Sequence, residues 1–248
     1  MRRGHRPSQP PANRPRFWGR HAVSAALANP ERTIRKIWVT REAAAAFGTF
    51  PSTIPVSFAD VADLGRLVPQ DAPHQGIVID VDPLDDIWLG DLLERGSDGQ
   101  RPLIVLDQVT DPHNVGAVLR SAAAFDALGI VTQDRHAPPE SGALARAASG
   151  ALEFVPWARV VNLARALDEI AEAGFWRIGL TGHAPRTLAQ AIGTAKVALV
   201  LGAEGEGMRQ NTEAHCDELA RLPISPRVES LNISNAAAIA LYAVATRG

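Results

Sequence analysis

Residues 102–120 read PLIVLDQVTDPHNVGAVLR, and this stretch decides the class of fold. An apolar run that ends in an acid indicates a buried strand, and the periodic apolar residues after Pro112 indicate a helix with a polar first turn. Open α/β sheets place their sites where polar groups collect at the carboxyl ends of strands. The stretch therefore predicts an α/β domain with candidate site residues at Asn114 and Arg120. A purely structural interpretation stays open, in which Asp111 caps the helix and Arg120 is a solvated side chain.

The chain after residue 101 alternates between strand-like and helix-like segments. Read in order, the segments are PLIVLD, NVGAVLRSAAAF, ALGIVTQ, NLARALDEIAEAG, FWRIGLTG, KVALVLG and NAAAIALYAVATR. This alternation is typical of a mostly parallel sheet covered by helices. By itself it predicts an ordinary doubly wound sheet, because connections in proteins almost never thread one another.

A glycine-rich loop, GAEGEGM, follows the apolar strand at residues 197–201. Glycines after a strand let a backbone approach a ligand closely. A nucleotide-dependent oxidoreductase is the rival interpretation, but its fingerprint spaces glycines G-x-G-x-x-G, whereas this loop is G-x-x-G-x-G. Glu204 and Glu206 would also repel a pyrophosphate. An acidic loop fits a cationic ligand better, such as the sulfonium of S-adenosylmethionine.

A third polar segment lies close to the C-terminus. An apolar Leu-Pro-Ile edge at 222–224 is followed, after a short loop, by SLNISN at 230–235 and an alanine-rich helix. The polar residues could serve only as a helix N-terminal cap. Four of them exceed that need, and an apolar edge beside polar groups is a reasonable cleft for a planar adenine.

Size and composition restrict the class of protein. The chain has 248 residues, 46% hydrophobic and 21% charged, which is enough to bury a substantial core in one or two domains. No apolar run approaches the roughly 20 residues of a membrane span, and no secretory leader is recognised, so we expect a cytoplasmic protein. The single cysteine, Cys216, excludes an intrachain disulfide and a multi-cysteine zinc site, and we expect no metal.

Two bodies are predicted after a basic arm. Residues 1–30 contain six arginines and no acid. The composition of residues 1–15 predicts a disordered arm, which either contacts a polyanion or only keeps the chain soluble. A helix in GRHAVSAALANPER and strands in IRKIWVT and HQGIVIDV predict a small α/β domain over 16–83. The linker segment 84–101 follows, in which the apolar patch IWLGDLL predicts a short helix, and the second domain takes 102–248.

The three polar segments together resemble the motifs of the SpoU (TrmH-like) RNA ribose 2′-O-methyltransferases of the SPOUT superfamily. They read D-x-x-x-D-P-x-N-x-G-x-x-x-R, then L-G-x-E-G-x-G, then L-P-I followed by S-L-N-x-S. The small domain resembles the ribosomal-protein-like RNA-binding domain of the family's 23S ribosomal RNA guanosine-2′-O branch. The resemblance covers the chain from about Phe17 to the end, apart from the linker.

The resemblance implies a trefoil-knotted parallel-sheet methyltransferase domain preceded by a small α/β RNA-binding domain. It implies S-adenosyl-L-methionine as cofactor, held in a bent form against the knot at a homodimer interface. The expected reaction is methyl transfer to the ribose 2′-hydroxyl of a nucleotide in structured RNA, with guanosine in 23S ribosomal RNA favoured over transfer RNA. No membrane or DNA partner is expected.

The resemblance also assigns roles by position in the motifs. The residues expected to form the catalytic set are Asn114, Arg120, Glu204, Ser230 and Asn232. Those expected to contact or neighbour the cofactor are Thr181, Leu201, Gly202, Leu222, Ile224 and Leu231. If Gly202 lines the cofactor pocket, we expect Gly202→Val to block the ligand by crowding and to leave the fold intact.

An in-line displacement requires that the two substrates are aligned and that the hydroxyl loses its proton. Arginine is a poor base, because lowering its pKa from above 12 to near 7 costs roughly 7 kcal/mol. We therefore hypothesise that Arg120 pins a substrate phosphate with its planar fork, and that this phosphate or a water takes the proton. Glu204 is expected to hold Asn114 or Ser230 in place. A non-catalytic RNA-binding module on the same fold is the remaining alternative.

Overall fold

A computed structural model describes residues 14–97 and 99–247. Within these residues the chain divides into two compact units. The first contains the residues up to Asp85 together with Glu140–Glu153, and the second contains Asp86–Pro139 and the residues from Phe154 onward. In this part of the chain, every helix is too short or too polar to span a membrane.

Strands and helices alternate along most of the described chain. The strands are β1 (Arg16–Trp18), β2 (Ile34–Val39), β3 (Val56–Phe58), β4 (Ile77–Val81), β5 (Leu103–Asp107), β6 (Gly129–Gln133), β7 (Trp157–Val160), β8 (Phe175–Leu180), β9 (Lys196–Gly202) and β10 (Glu218–Ala220). The helices are α1 (Arg20–Ala28), α2 (Arg41–Phe47), α3 (Val61–Gly65), α4 (Leu89–Arg95), α5 (Pro112–Ala124), α6 (Gly142–Ala148), α7 (Leu163–Glu172), α8 (Leu188–Ala191), α9 (Gln210–Glu213) and α10 (Ile233–Ala245).

The second unit is built on a parallel sheet of six strands in the order β10-β8-β9-β5-β6-β7. Helices α4 and α7 pack into one core with Leu103, Val105 and Val200, while α10 contacts β9 and α5 contacts β6. Because helices cover the sheet, β5 and β9 are apolar and buried along almost their whole length. The predicted mostly parallel sheet is confirmed.

The order of the strands is not sequential. Strand β9 lies between β5 and β8, although β8 precedes it in the chain, and β10 lies on the far side of β8. Periodicity predicts the type of an element and not its neighbours, so the alternation alone could not give this order. The short helix predicted in the linker segment 84–101 is α4, and its Leu92 and Leu93 are buried in the core of the second unit.

The first unit is an α/β body on a four-stranded sheet of order β1-β4-β2-β3. Strands β2 and β3 are parallel, and the other neighbours are antiparallel. Two residues that the sequence assigns to the arm lie beside β4, since the carbonyl of Pro15 accepts a hydrogen bond from Val81 and Arg14 pairs with Asp82 at 2.9 Å. The rest of the predicted arm, residues 1–13, lies outside the described residues.

The segment that carries α6 belongs to the first unit, although the sequence assigns it to the second domain. Arg32 pairs with Glu140 at 2.6 Å and with Glu153 at 2.9 Å, and all three side chains are buried. Burial raises the pKa of Glu140, and the nearby Arg32 opposes the rise. Gly142 lies so close to Trp18 that a Cβ atom would overlap the indole ring. One buried cation between two carboxylates thus fastens this segment inside the first unit.

Candidate active site

The carboxyl ends of four neighbouring strands meet at one edge of the parallel sheet. The register places Leu201 of β9 opposite Leu180 of β8, and Leu180 in turn lies opposite Ala220 of β10. On the other side, Gly202 lies opposite Asp107 of β5. The residues that follow these strands therefore emerge side by side, which is the usual position of a site in an open α/β sheet.

Several residues predicted to contact the cofactor come from this edge. Thr181 follows β8 directly, and its amide donates a hydrogen bond to the carbonyl of Ala220 at 2.9 Å. Leu222 lies two residues beyond β10 and is partly buried. Ile224 is exposed and Leu231 is partly buried, and both lie on the segment that leads to α10. The end of β8 thus holds Thr181 beside the end of β9, and Leu222 follows the next strand outward, β10.

The start of α5 supports the structural interpretation for Asp111, whose side chain accepts a hydrogen bond from the amide of His113 at 2.9 Å and caps the helix. Pro112 occupies the first turn, where its missing amide hydrogen has no cost. Gln108, in the loop before the helix, has a φ of 60°, so the chain turns sharply there. Asn114 differs from Asp111, because its side chain makes a hydrogen bond with a residue outside α5, Asn232.

The side chain of Asn232 connects all three motifs. Its Oδ1 caps α10, accepting hydrogen bonds from the amide of Ser234 at 2.9 Å and from the hydroxyl of the same residue at 2.6 Å. Its Nδ2 donates to Oδ1 of Asn114 at 3.0 Å and to Oε2 of Glu204 at 3.4 Å. The helix-cap interpretation therefore holds for Asn232, which also links the motifs, and the adenine cleft stays a prediction.

Glu204 has a different partner from the one expected. In the described part of the chain its carboxylate bonds to Asn232 and makes no hydrogen bond with Asn114 or Ser230. Glu204 and Glu206 are both exposed, so the loop presents negative charge at the sheet edge.

Gly202 is crowded by its own loop. A Cβ atom on this residue would overlap the backbone of Gly207 and Met208. The loop folds back because the amide of Gly207 donates to the carbonyl of Ala203 at 2.9 Å, and Gly205 has a φ of 85°, a region that favours glycine. The expectation that Gly202→Val leaves the fold intact is therefore wrong, since the valine would displace the loop.

The sequence motifs do not reveal the partner of Asp107. This carboxylate is fully buried at the end of β5 and accepts hydrogen bonds from the amide and the Nε of Arg209, each at 2.9 Å. A third contact joins Nη2 of Arg209 to Oδ1 of Asp107 at 2.6 Å. The available sequence signal is an acid at the end of an apolar strand, because a buried carboxylate needs a partner.

Arg120 and Ser230 are exposed. Neither side chain makes a hydrogen bond or ion pair with another residue of the described ranges. Their polar groups are accessible to a ligand, and the solvated interpretation of Arg120 also remains compatible with the structure.

Cys216 is not a nucleophile. Burial raises the pKa of its thiol to about 12, so the thiol stays protonated at neutral pH. The adjacent Asp217 pairs with Arg177 at 2.7 Å, and hydrogen bonding to that guanidinium lowers the pKa of the Asp217 carboxyl. These groups hold β8 to the residues before β10.

Comparison with known proteins identifies two families along the chain. The SpoU rRNA methylase family matches residues 101–242. The RNA 2′-O ribose methyltransferase substrate-binding family matches residues 17–86. The two matches cover most of residues 16–83 and 102–248.

Individual relatives match over most of the chain. The 23S rRNA (guanosine-2′-O-)-methyltransferase RlmB of Pseudomonas aeruginosa is 37% identical, covering 92% of this chain and 95% of the relative. An uncharacterized tRNA/rRNA methyltransferase of Synechocystis sp. is 40% identical over 92% of this chain, which spans only 61% of that relative's length.

A solved structure supports the fold. The SpoU methyltransferase AviRb from Streptomyces viridochromogenes, in complex with the cofactor AdoMet, aligns with a TM-score of 0.73 at 22% identity and covers 94% of this chain and 90% of that chain. This likeness confirms the predicted fold class, and the matched family of RNA methylases confirms the predicted class of enzyme. The chain belongs to the SpoU rRNA methylase family.

Proposed function

We propose that this chain transfers a methyl group from S-adenosyl-L-methionine to the ribose 2′-hydroxyl of a guanosine in 23S ribosomal RNA. The observation that carries the proposal is the hydrogen bonding of Asn232 to Asn114 and Glu204, which joins the three motifs at the sheet edge. The Pseudomonas aeruginosa relative is named for this reaction, and the AviRb structure is named as a complex with this cofactor.

The residues at the sheet edge fit S-adenosylmethionine. Leu222, which is partly buried, and Ile224, which is exposed, supply apolar surface, and the strand ends supply backbone groups, a combination that suits an adenine ring. The carboxylates of Glu204 and Glu206 suit a positively charged sulfonium. When bound, S-adenosylmethionine supplies an electrophilic methyl group. We assign its binding to Thr181 and the other residues of the predicted cofactor set, with no metal required.

The catalytic set orients the RNA and assists loss of the proton. The Oδ1 of Asn114 accepts the hydrogen bond from Asn232, and its Nδ2, which has no partner within residues 14–97 and 99–247, can donate to the ribose. Arg120 pins a substrate phosphate with its planar guanidinium, and that phosphate or a water accepts the proton of the 2′-hydroxyl. Ser230 contributes a hydroxyl at the same helix start. Glu204 supports this arrangement through Asn232.

The RNA contacts include the first unit, which matches the substrate-binding family. The guanidinium of Arg41 lies 5.3 Å from the ring centre of Phe58, and that ring is 59% exposed. Single-stranded bases stack on aromatic rings and on arginine, so this pair suits a loop of structured RNA. A ribosomal or transfer RNA loop would both fit, and the name of the relative favours ribosomal RNA.

The active form in this proposal is a cytoplasmic homodimer. Ile239 and Tyr242 lie on α10, the helix that begins beside the catalytic set, and are 46% and 58% exposed. Tyr242 packs edge to face with Phe125, the residue that follows α5, with ring centres 6.0 Å apart. An exposed apolar surface of this kind supports an interface with a second copy.

The test uses 23S ribosomal RNA and transfer RNA from a strain that lacks the gene. Purified protein and S-adenosylmethionine are added, and 2′-O-methylguanosine is mapped by mass spectrometry. We expect one new modified guanosine in the ribosomal RNA, its loss with Asn114→Ala, and its retention with the surface variant Arg165→Ala. Modification of transfer RNA alone would move the substrate to that class, and cofactor binding without methylation of either RNA would indicate a non-catalytic module.

A further inference from the structure

A buried charge lies directly below the glycine loop. The carboxylate of Asp107 is fully buried, and Arg209, whose side chain is 37% exposed, is its partner through three contacts of 2.6 to 2.9 Å. Taking a carboxylate out of water is unfavourable, and an ion pair of this kind offsets that cost only with good geometry. Its presence at this place therefore calls for a reason other than the stability of the sheet.

The pair closes the glycine loop at both of its ends. The backbone of Gly202 pairs with Asp107 in the parallel ladder between β5 and β9. The loop then runs outward through Glu204 and returns to Arg209, whose amide and guanidinium bind the side chain of the same aspartate. One residue thus fixes where the loop leaves the sheet and where it comes back. The β5–β9 ladder is already complete along the strands, so strand pairing does not need the ion pair.

We propose that the Asp107–Arg209 ion pair is a positioning device that holds the glycine loop in the conformation that binds S-adenosylmethionine. The pair acts through the loop, which carries Glu204 to its hydrogen bond with Asn232. Asp107 and Arg209 are therefore positioning residues and do not take part in the chemical step. This inference rests on the proposed function, because it concerns affinity for the same cofactor.

The experiment measures S-adenosylmethionine binding by calorimetry and the KM for cofactor and RNA separately. Arg209→Ala removes the guanidinium, and we expect the Kd and KM for S-adenosylmethionine to rise roughly tenfold or more while the KM for RNA is unchanged. Arg209→Lys keeps a cation without the fork and should recover part of the affinity. Arg165→Ala, which breaks the exposed pair with Glu169 on α7, is the matched control and should change neither.

A double-mutant cycle tests whether Arg209 acts through the loop. We expect Glu204→Gln to weaken cofactor binding in the wild-type background and to have a clearly smaller effect in the Arg209→Ala background, because the loop there is already displaced. Additive effects of the two substitutions would overturn the proposal.

The remaining outcomes are also decisive. A folded Arg209→Ala protein, judged by its urea midpoint, that binds S-adenosylmethionine as tightly as the wild type would reduce the pair to a structural role. If Arg209→Ala does not fold, Arg209→Lys and Arg209→Gln carry the same comparison. A wild-type protein that binds no S-adenosylmethionine would overturn the proposed function, and this inference with it, which separates that failure from a failure of the ion pair alone.

Discussion

At the scale of single residues, the oxygen and the nitrogen of the Asn232 side chain serve different purposes. The oxygen caps α10 through Ser234, and the nitrogen reaches Asn114 and Glu204. Either role alone could account for an asparagine at this position. The two roles can be separated because aspartate retains the oxygen and lacks the donor.

Asn232→Asp is predicted to keep the helix cap and to lose the link. We expect its free energy of unfolding to stay close to the wild-type value, whereas Asn232→Ala should lower it by about 1 kcal/mol because the cap is lost. Methyl transfer should fall in both variants, because both lack the Nδ2 donor to Asn114 and Glu204. Aspartate also places a second carboxylate beside Glu204. Urea denaturation and initial rates on one RNA test this, and wild-type activity of Asn232→Asp would contradict a role for the nitrogen.

Arg120 offers a second prediction at this scale. If its guanidinium pins a phosphate, Arg120→Lys keeps the charge and should retain measurable activity with a pH profile of unchanged shape. Arg120→Ala should lose far more. Rates measured across a pH series distinguish the roles, because a lysine variant that follows a new ionisation would indicate that residue 120 acts as the base.

At the scale of elements, two glycines of the loop after β9 make a matched comparison. Gly205 has a φ of 85° and open space around its Cα, so Gly205→Ala should lower the free energy of unfolding by about 1 to 2 kcal/mol through backbone strain alone. In Gly202→Ala the new Cβ overlaps backbone, and we expect a larger loss together with weaker binding of S-adenosylmethionine. Equal stability of the two variants in urea would mean that the backbone overlap at Gly202 costs no more than the strain at Gly205, and would contradict the prediction.

The elements also show how far the sequence predicts the fold. The strands β5, β8 and β9 are predictable because each carries a mostly apolar run over five or more residues, and the helices α5, α7 and α10 because apolar residues recur in them at helical spacing. The edge strands β7 and β10 have four and three residues, too few for a pattern. The motif residues can be read from the sequence, and their roles stay predictions. The pairing of Asp107 with Arg209 cannot be read in this way, because it joins positions 102 residues apart and a local pattern carries no information on such a pairing.

At the scale of the whole molecule, the buried Arg32 cluster is the clearest electrostatic feature. Arg32→Met would leave the carboxylates of Glu140 and Glu153 buried without their cation, so the first unit should lose about 3 to 5 kcal/mol of stability. Glu140→Gln leaves one matched ion pair, and we expect a much smaller loss. Urea denaturation of the two variants tests the order of these effects.

The pH dependence of the first unit follows from the same cluster. Burial raises the pKa of Glu140 above its ordinary value of 4.5, so the folded protein binds this proton more tightly than the unfolded chain. The contribution of Glu140 to the free energy of unfolding should therefore fall as the pH rises from 4.5 through the raised pKa of the folded protein. Glu140→Gln should remove this part of the dependence, and identical pH profiles for the variant and the wild type would contradict it.

The predicted arm gives a further prediction for the whole molecule. Residues 1–13 carry three arginines. Arg14 and Arg16 are not counted, because Arg14 lies beside β4 and Arg16 lies in β1. Each phosphate contact makes the slope of log K for RNA binding against log salt more negative by about 0.7 to 0.9. Removal of 1–13 should therefore flatten that slope by roughly 2 to 2.7 if all three arginines bind RNA. Fluorescence binding curves at several salt concentrations measure it, and superimposable slopes would leave the arm a solubilising role.

The insertion of β9 between β5 and β8 has a consequence for synthesis on the ribosome. Strand β5 begins at Leu103 and β9 at Lys196, so 93 residues separate them. At about 5 to 20 residues per second, roughly 5 to 19 s pass before the second neighbour of β5 is made. Throughout that interval β5 has an unpaired edge, which is a template for pairing with another nascent chain. The half-made protein is therefore more exposed to misassembly than the finished one.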